Sequence, residues 1–277
     1  LQLQPAVPDA QRIALGVSYD GSGFSGWQTQ PGGIGVQDAL ETALATFLGQ
    51  KTATICAGRT DAGVHANAQV VHVDTHAMRA ENAWVRALNS HLPRSVSVHW
   101  ARPVGQDFSA RFSATAREYV YVLLDQPVRP AQLTHMVGWS LRPLNSDEMH
   151  TAAQQLLGSH DFSAFRAAQC QAASPVRTVE QLSVRRLGNL ILITIRANAY
   201  LHHMVRNIVG SLVYVGLGRW RADQLAQVLE SRDRSQAAPT FAAGGLYLSR
   251  VDYPPQFGLP TSAGPGPWWT GFNSSQS

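Results

Sequence analysis

Between residues 12 and 101 two periodicities alternate, and their order limits the fold more than any other feature of the chain. Residues 12–18 alternate as a strand does, with Ile13, Leu15 and Val17 on one face. Residues 36–48 read as an amphipathic helix, with Val36, Leu40, Leu44, Phe47 and Leu48 on one stripe and Gly49 as its stop. Residues 52–56 and 69–75 read as strands. Residues 83–88 suggest a helix that ends before Pro93, and residues 96–101 a further strand. The order is β-α-β-β-α-β, a split unit of ferredoxin-like type.

A second half begins near Phe112. Residues 117–124 are β-rich, and alternation puts Tyr119 and Tyr121 on one face. Residues 146–157 read as a helix with Ser146 as N-cap and Gly158 as stop. Strands over 179–185 and 190–197 flank Gly188-Asn189, a hairpin signal. A long helix over 201–215, a shorter one over 222–230 and a strand over 246–251 follow. The second half thus roughly repeats the element order of the first. The expected organisation is an N-terminal extension (1–11), two α/β halves (12–112 and 113–254) and a Pro/Gly/Ser-rich tail (255–277). Trp268 and Trp269 are unusual in such a tail and suggest that it docks somewhere.

Composition removes several classes. With 277 residues, 44% of them hydrophobic and only 14% charged, the chain can bury a large core or two modest ones, and it is not a disordered polyelectrolyte. A formal charge of +4 mildly favours a polyanionic partner. Lys51 is the only lysine, so nearly all the positive charge is arginine, whose planar fork suits phosphate. A GC-rich coding sequence would give the same bias. Cys56 and Cys170 are too few for a disulfide framework or a zinc knuckle, which fits a reducing cytoplasm. Residues 1–11 lack the pattern of a signal peptide, and no apolar stretch reaches membrane-spanning length, so no membrane partner is expected.

Four segments carry candidate chemistry. Gly21-Ser22-Gly23-Phe24-Ser25-Gly26 matches a dinucleotide fingerprint letter for letter. That fingerprint needs a helix to start at once, so that its N-terminus meets the pyrophosphate. Here the helix starts only near Val36, and the nucleotide reading is rejected; the loop instead packs Phe24 and Trp27 or approaches a ligand. In Gly58-Arg59-Thr60-Asp61-Ala62-Gly63-Val64-His65 a carboxylate sits in a tight, Gly-flanked loop beside an arginine. Asp61 there either makes turn hydrogen bonds or acts as a nucleophile or base, with Arg59 holding a phosphate. Arg206 lies among hydrophobes on the 201–215 helix; it either snorkels to the surface or pairs with a carboxylate, Asp61 being an attractive partner. His202 and His203, taken as neighbours on that helix, point about 100° apart and cannot easily share a metal ion. Tyr119 and Tyr121 are either core aromatics or a stacking platform for a base.

Taken with Tyr19-Asp20-Gly21 through Gly26-Trp27-Gln28, Arg111-Phe112-Ser113, Arg117-Glu118-Tyr119-Val120-Tyr121, His160-Asp161-Phe162, Leu201 to Asn207 and Gly245-Leu246-Tyr247-Leu248, these segments resemble the tRNA pseudouridine synthase A family, in the family's order and over residues 12–253. The resemblance implies an isomerase that converts uridine to pseudouridine at positions 38, 39 and 40 of the tRNA anticodon stem-loop, without cofactor or metal. It places the catalytic nucleophile at Asp61. Arg59 would replace the extruded nucleotide or grip its phosphate, Tyr119 would stack on the uracil, Arg206 would pair with Asp61, and Leu246 would pack against the base. The target uridine lies in a stem and must be flipped out. The implied fold is α+β: two ferredoxin-like halves whose antiparallel sheets join into one, helices on one face, and a catalytic cleft between the halves. The implied assembly is a cytoplasmic homodimer. Glu118 departs from the pattern, standing where a basic residue is common. A tRNA-binding or chaperone protein without chemistry is the rival reading, against which the full set of Asp61, Arg59, Tyr119 and Arg206 argues. A nucleotide-dependent oxidoreductase rests on the glycine loop alone.

Overall fold

The alternating face of residues 12–18 lies on a strand that is paired on both sides. Strand β1 (Gln11–Tyr19) has antiparallel neighbours on both sides, with Leu15 opposite Val71 on one and Ala101 on the other. The computed structural model describes residues 10–32, 34–260 and 267–273. It is α+β and divides into two compact units, Leu1–Thr115 with Leu248–Pro267, and Ala116–Tyr247 with Trp268–Ser277.

In the first unit β1 is followed by α1 (Val36–Leu48), β2 (Ile55–Cys56), β3 (His65–Thr75), α2 (Glu81–His91) and β4 (Val96–Val104), the order expected from periodicity. Helix α1 ends where Gly49 takes φ +72 and its N–H reaches the Ala45 carbonyl. Its stripe buries Val36, Leu40, Ala43 and Leu44, while Phe47 meets Trp84 of α2 edge-on at 5.1 Å. Strand β2 is shorter than the pattern suggests, because the Thr54 N–H donates to Glu41 Oε1 at 2.8 Å instead of joining a ladder. A second cluster comprises Ala14, Ala57, Val70, Phe108 and Ala110. Trp100 covers Gly16, where a Cβ would come within 2.1 Å of its indole nitrogen. Phe257 and Leu259 pack against this cluster, Phe257 at 5.1 Å from the Phe108 ring. Pro/Gly/Ser-rich composition does not keep residues 255–260 off the core, because a fully buried Phe108 still needs apolar partners and each such side chain contributes roughly 1.5–3 kcal/mol.

The second unit is built on β5 (Ala116–Asp125), paired antiparallel with β9 (Leu190–Ala197), which pairs with β8 (Val176–Leu187) and so with β7 (Gly158–Asp161). A short β6 (Gly138–Ser140) pairs parallel with β5. The β8–β9 hairpin turns at Gly188, φ +58, as its dipeptide signal requires. Helices α3 (Ser146–Ala153), α4 (Met204–Gly216) and α5 (Gln224–Ser231) complete this unit. The final strand, β10 (Leu246–Asp252), begins in the second unit and ends in the first.

Helices α3 and α4 differ from the sequence reading. Asn145, not Ser146, caps α3, its Oδ1 accepting from the N–H groups of Asp147 and Glu148 at 3.1 Å; beyond Ala153 the chain tightens into a 3-10 turn before Gly158 at φ +98. Helix α4 starts at Met204 rather than Leu201. Residues 201–203 are held outside it: the Ala167 N–H bonds to the His202 carbonyl, the His202 N–H to Cys170 Sγ, and His203 adopts a left-handed φ of +62. His202 and His203 are therefore not successive helical residues, and their rings lie 4.0 Å apart. The rest of α4 is mostly apolar and buried, with Arg206 and Tyr214 half-buried and Asn207 and Ser211 as buried polar residues.

Strand β5 is buried on both faces. Tyr119, Tyr121 and Leu123 share one. Val120, Val122 and Leu124 share the other, in a cluster with Val137, Leu190, Tyr247 and Trp269. Trp269 lies edge-on to Tyr247 at 4.5 Å, and Trp268 Nε1 reaches the Tyr247 hydroxyl at 3.4 Å.

Candidate active site

The Asp61 loop joins β2 to β3 and is braced from several directions. The Thr60 hydroxyl, buried, shares a 2.8 Å hydrogen bond with Tyr19 Oη at the end of β1. The Trp27 N–H donates to the Thr60 carbonyl at 3.0 Å, and Gln69 Nε2 to the Gly58 carbonyl at 2.7 Å. The Val64 N–H closes a turn onto the Asp61 carbonyl at 3.1 Å, with Gly63 at φ +77 in the position where such a turn requires left-handed backbone. His65 Nδ1 accepts the Gly21 N–H at 3.1 Å. At the turn's first position, Asp61 is half-buried, and Arg59 two residues earlier is exposed.

The glycine-rich loop is what this turn leans on. Gly21–Gly23 forms one 3-10 turn with Asp20 as its cap, and no helix follows until Val36. A Cβ on Gly21 would come within 2.0 Å of the Val64 carbonyl oxygen, and one on Gly26 within 2.7 Å of the Thr60 oxygen. The glycines serve close approach of two loops, and the rejected nucleotide reading has no helix N-terminus to support it. Trp27 is buried and Phe24 half-buried beside them. Cys56, at the end of β2, offers no second nucleophile: burial pushes its thiol up to about 12, against the weaker pull of Arg59 and Arg111.

Tyr119, Arg206 and Leu246 belong to the second unit. Tyr119 stands edge-on to Tyr200 at 5.0 Å, and Tyr200 Oη lies 2.9 Å from the carbonyls of Arg117 and Ile195. Burial raises the Tyr200 hydroxyl well above the ordinary tyrosine range, so Tyr119 has a neutral, fixed neighbour. Tyr121 is a core residue instead, its hydroxyl donating to the Ala242 carbonyl at 2.9 Å and its ring filling the space left by Gly138 and Gly245. Arg206 is half-buried in the first turn of α4, Nε donating to the Phe241 carbonyl at 2.9 Å. A cation at a helix N-terminus is unfavourable beside the macrodipole and calls for a nearby anion. Leu246 opens β10, buried, with its N–H on the Ala243 carbonyl.

Sequence reasoning finds the Asp61 loop but not its braces. Tyr19 and the buried Asn207 lie in segments that carry the resemblance, but their bonds, like that of Gln69, reach distant residues that no local pattern marks.

A family model described as tRNA pseudouridine synthase matches residues 16–113 and 152–254. The chain belongs to the tRNA pseudouridine synthase family. Arg59, Asp61, Arg206 and Leu246 lie within the matched blocks, and Tyr119 falls between them. The tRNA pseudouridine synthase A of Bordetella avium (strain 197N) is 56% identical over 251 residues, covering 90% of this chain and 94% of the relative. That of Paraburkholderia xenovorans (strain LB400) is 54% identical over 261 residues, covering 94% and 97%. The family isomerises uridine to pseudouridine in tRNA, and the chain is an isomerase of that kind. Among the described residues no helix is long and apolar enough to cross a membrane.

Proposed function

We propose that this tRNA pseudouridine synthase acts at positions 38, 39 and 40 of the anticodon stem-loop, as a cytoplasmic homodimer, with Asp61 as its nucleophile. The observation that carries this reading is the half-buried Asp61 carboxylate on a turn whose neighbours are small and whose loop is braced by Trp27 and Gln69 on its backbone and by Tyr19 and Gly21 on the Thr60 and His65 side chains. Such preorganisation suits a group that must meet one atom of a flipped nucleotide.

In this reading the C1′–N1 bond breaks, uracil rotates, and C5 bonds to C1′ while C5 loses its proton and N1 gains one. Atoms balance without any external redox partner. Asp61 attacks C6 of the base or C1′ of the ribose, or assists a glycal. Arg59 takes the space or the phosphate of the extruded nucleotide, Tyr119 stacks on uracil, Arg206 keeps Asp61 ionised, and Leu246 packs against the base. The test is to incubate whole unmodified tRNA with the pure protein and map pseudouridine by position. Product at 38, 39 and 40 is expected. Product only elsewhere in the tRNA would move the target and leave the chemistry. The mass of the assembly in solution tests the homodimer.

A further inference from the structure

Arg206 and Asn207 on α4 face Phe241 and Thr240 on the segment that precedes β10, and the two pairs form a ladder. On the first rung the Phe241 N–H donates to the Arg206 carbonyl at 3.2 Å while Arg206 Nε donates back to the Phe241 carbonyl at 2.9 Å. On the second, the Thr240 hydroxyl donates to Asn207 Oδ1 at 2.6 Å. Arg234 closes the second rung, Nη2 reaching Asn207 Oδ1 at 3.1 Å and Thr240 Oγ1 at 3.2 Å, and Nη1 reaching the Ala237 carbonyl at 3.2 Å. Asn207 is wholly buried, and its Nδ2 donates to the Phe165 carbonyl at 2.8 Å.

We infer that Asn207, Arg234 and Thr240 are positioning residues for Arg206, aiming its guanidinium for the reaction. The inference rests on the reading of Arg206 as a site residue. A guanidinium is planar, so a bond from Nε fixes its rotation as well as its place. The acceptor of that bond is a backbone carbonyl, so its accuracy is that of residues 239–242. Residues 237–242 are held at four further points: Thr240 on Asn207, Arg234 on Ala237, the Ala238 N–H on Ser211 Oγ, and Tyr121 Oη on the Ala242 carbonyl. Gly210 permits the approach, since a Cβ there would lie 2.2 Å from the Pro239 carbonyl oxygen. Apolar side chains could fill the Asn207 site at comparable stability. What they cannot do is tie a residue adjacent to Arg206 to a residue adjacent to its acceptor.

The test is a double-mutant cycle at saturating tRNA, read as kcat, with tRNA affinity and thermal midpoint measured alongside. Thr240→Val should lower kcat by about tenfold with tRNA Kd within about twofold, and Thr240→Ser should restore most of it. In an Arg206→Ala background the same Thr240→Val change should alter kcat by less than about twofold, because the group it aims is gone. Equal factors in both backgrounds, or an unchanged kcat for Thr240→Val, would overturn the inference. Full activity of Arg206→Ala would overturn the reading of Arg206 and the inference with it. Should Thr240→Val not fold, Arg234→Gln, at a half-buried position, is carried through the same cycle and judged by the same outcomes.

Discussion

Gly26 lies against Thr60 with no space for a side chain: a Cβ would come within 2.7 Å of the Thr60 carbonyl oxygen, and the Gly26 φ of +100 is one that L residues rarely adopt. The Asp61 loop and the glycine-rich loop thus meet backbone to backbone at this point. Gly26→Ala should cost about 1–3 kcal/mol from backbone strain alone, and more from the clash. The clash falls on the residue before Asp61, so kcat should fall by at least about tenfold. Denaturant melts and single-turnover assays check both; an unchanged melt with unchanged kcat would remove the contact from the account.

Asp61→Asn should abolish pseudouridine formation and leave tRNA binding within about threefold, because the amide keeps shape and loses nucleophilicity. Turnover above background in the pure variant would show that the carboxylate is not the nucleophile.

Tyr19→Phe tests the brace from β1. It strips the buried Thr60 hydroxyl of its 2.8 Å partner, at a cost of about 1–3 kcal/mol. Because Thr60 precedes Asp61, kcat should drop while tRNA affinity stays. A stability loss with full kcat would confine the bond to a structural role.

His72 gives the pH dependence of folding a sign. Burial, helped by Arg12, lowers its pKa from 6.5 to about 4, and its Nδ1 accepts the Ala110 N–H at 3.1 Å. The folded pKa is below the unfolded one, so between those values the unfolded chain takes up a proton that the folded chain refuses. Stability should therefore fall as pH drops through that window, by at most about 1.4 kcal/mol per unit from this group, and be independent of His72 above it. His72→Gln should flatten the slope in urea melts at stepped pH. The same slope in the variant would assign it to other groups.

Trp269→Ala should lower unfolding free energy by about 3 kcal/mol, through the cavity left between Tyr247, Val120 and Val122. An unchanged denaturation midpoint would mean that the C-terminal tryptophan adds nothing to that core.

Local pattern was enough for some elements and blind to others. Val36–Leu48 was legible to the residue, since an apolar stripe and a glycine stop are both written in adjacent letters. The start of α4 was not, because Leu201 continues the stripe and stays buried at 3% while the bonds of the next residue, His202, to Ala167 and Cys170 hold this stretch outside the helix. The Asp61 loop stood out through its glycines and charges. Tyr19 and Thr60 are 41 residues apart, Asn207 and Thr240 33, so no window of sequence contains either pair. Buried polar groups choose partners by three-dimensional proximity, and that is the part of a site that periodicity does not encode.

Strand β10 passes from the second unit back to the first, whose Phe108 cluster is finished by Tyr253, Phe257 and Leu259. During synthesis the loop that bears Asp61 is made well before residues 253–259, and the cluster of its unit cannot close until those residues have been translated. A nascent or truncated product that lacks those residues therefore carries the Asp61 loop on a unit whose core is not yet complete.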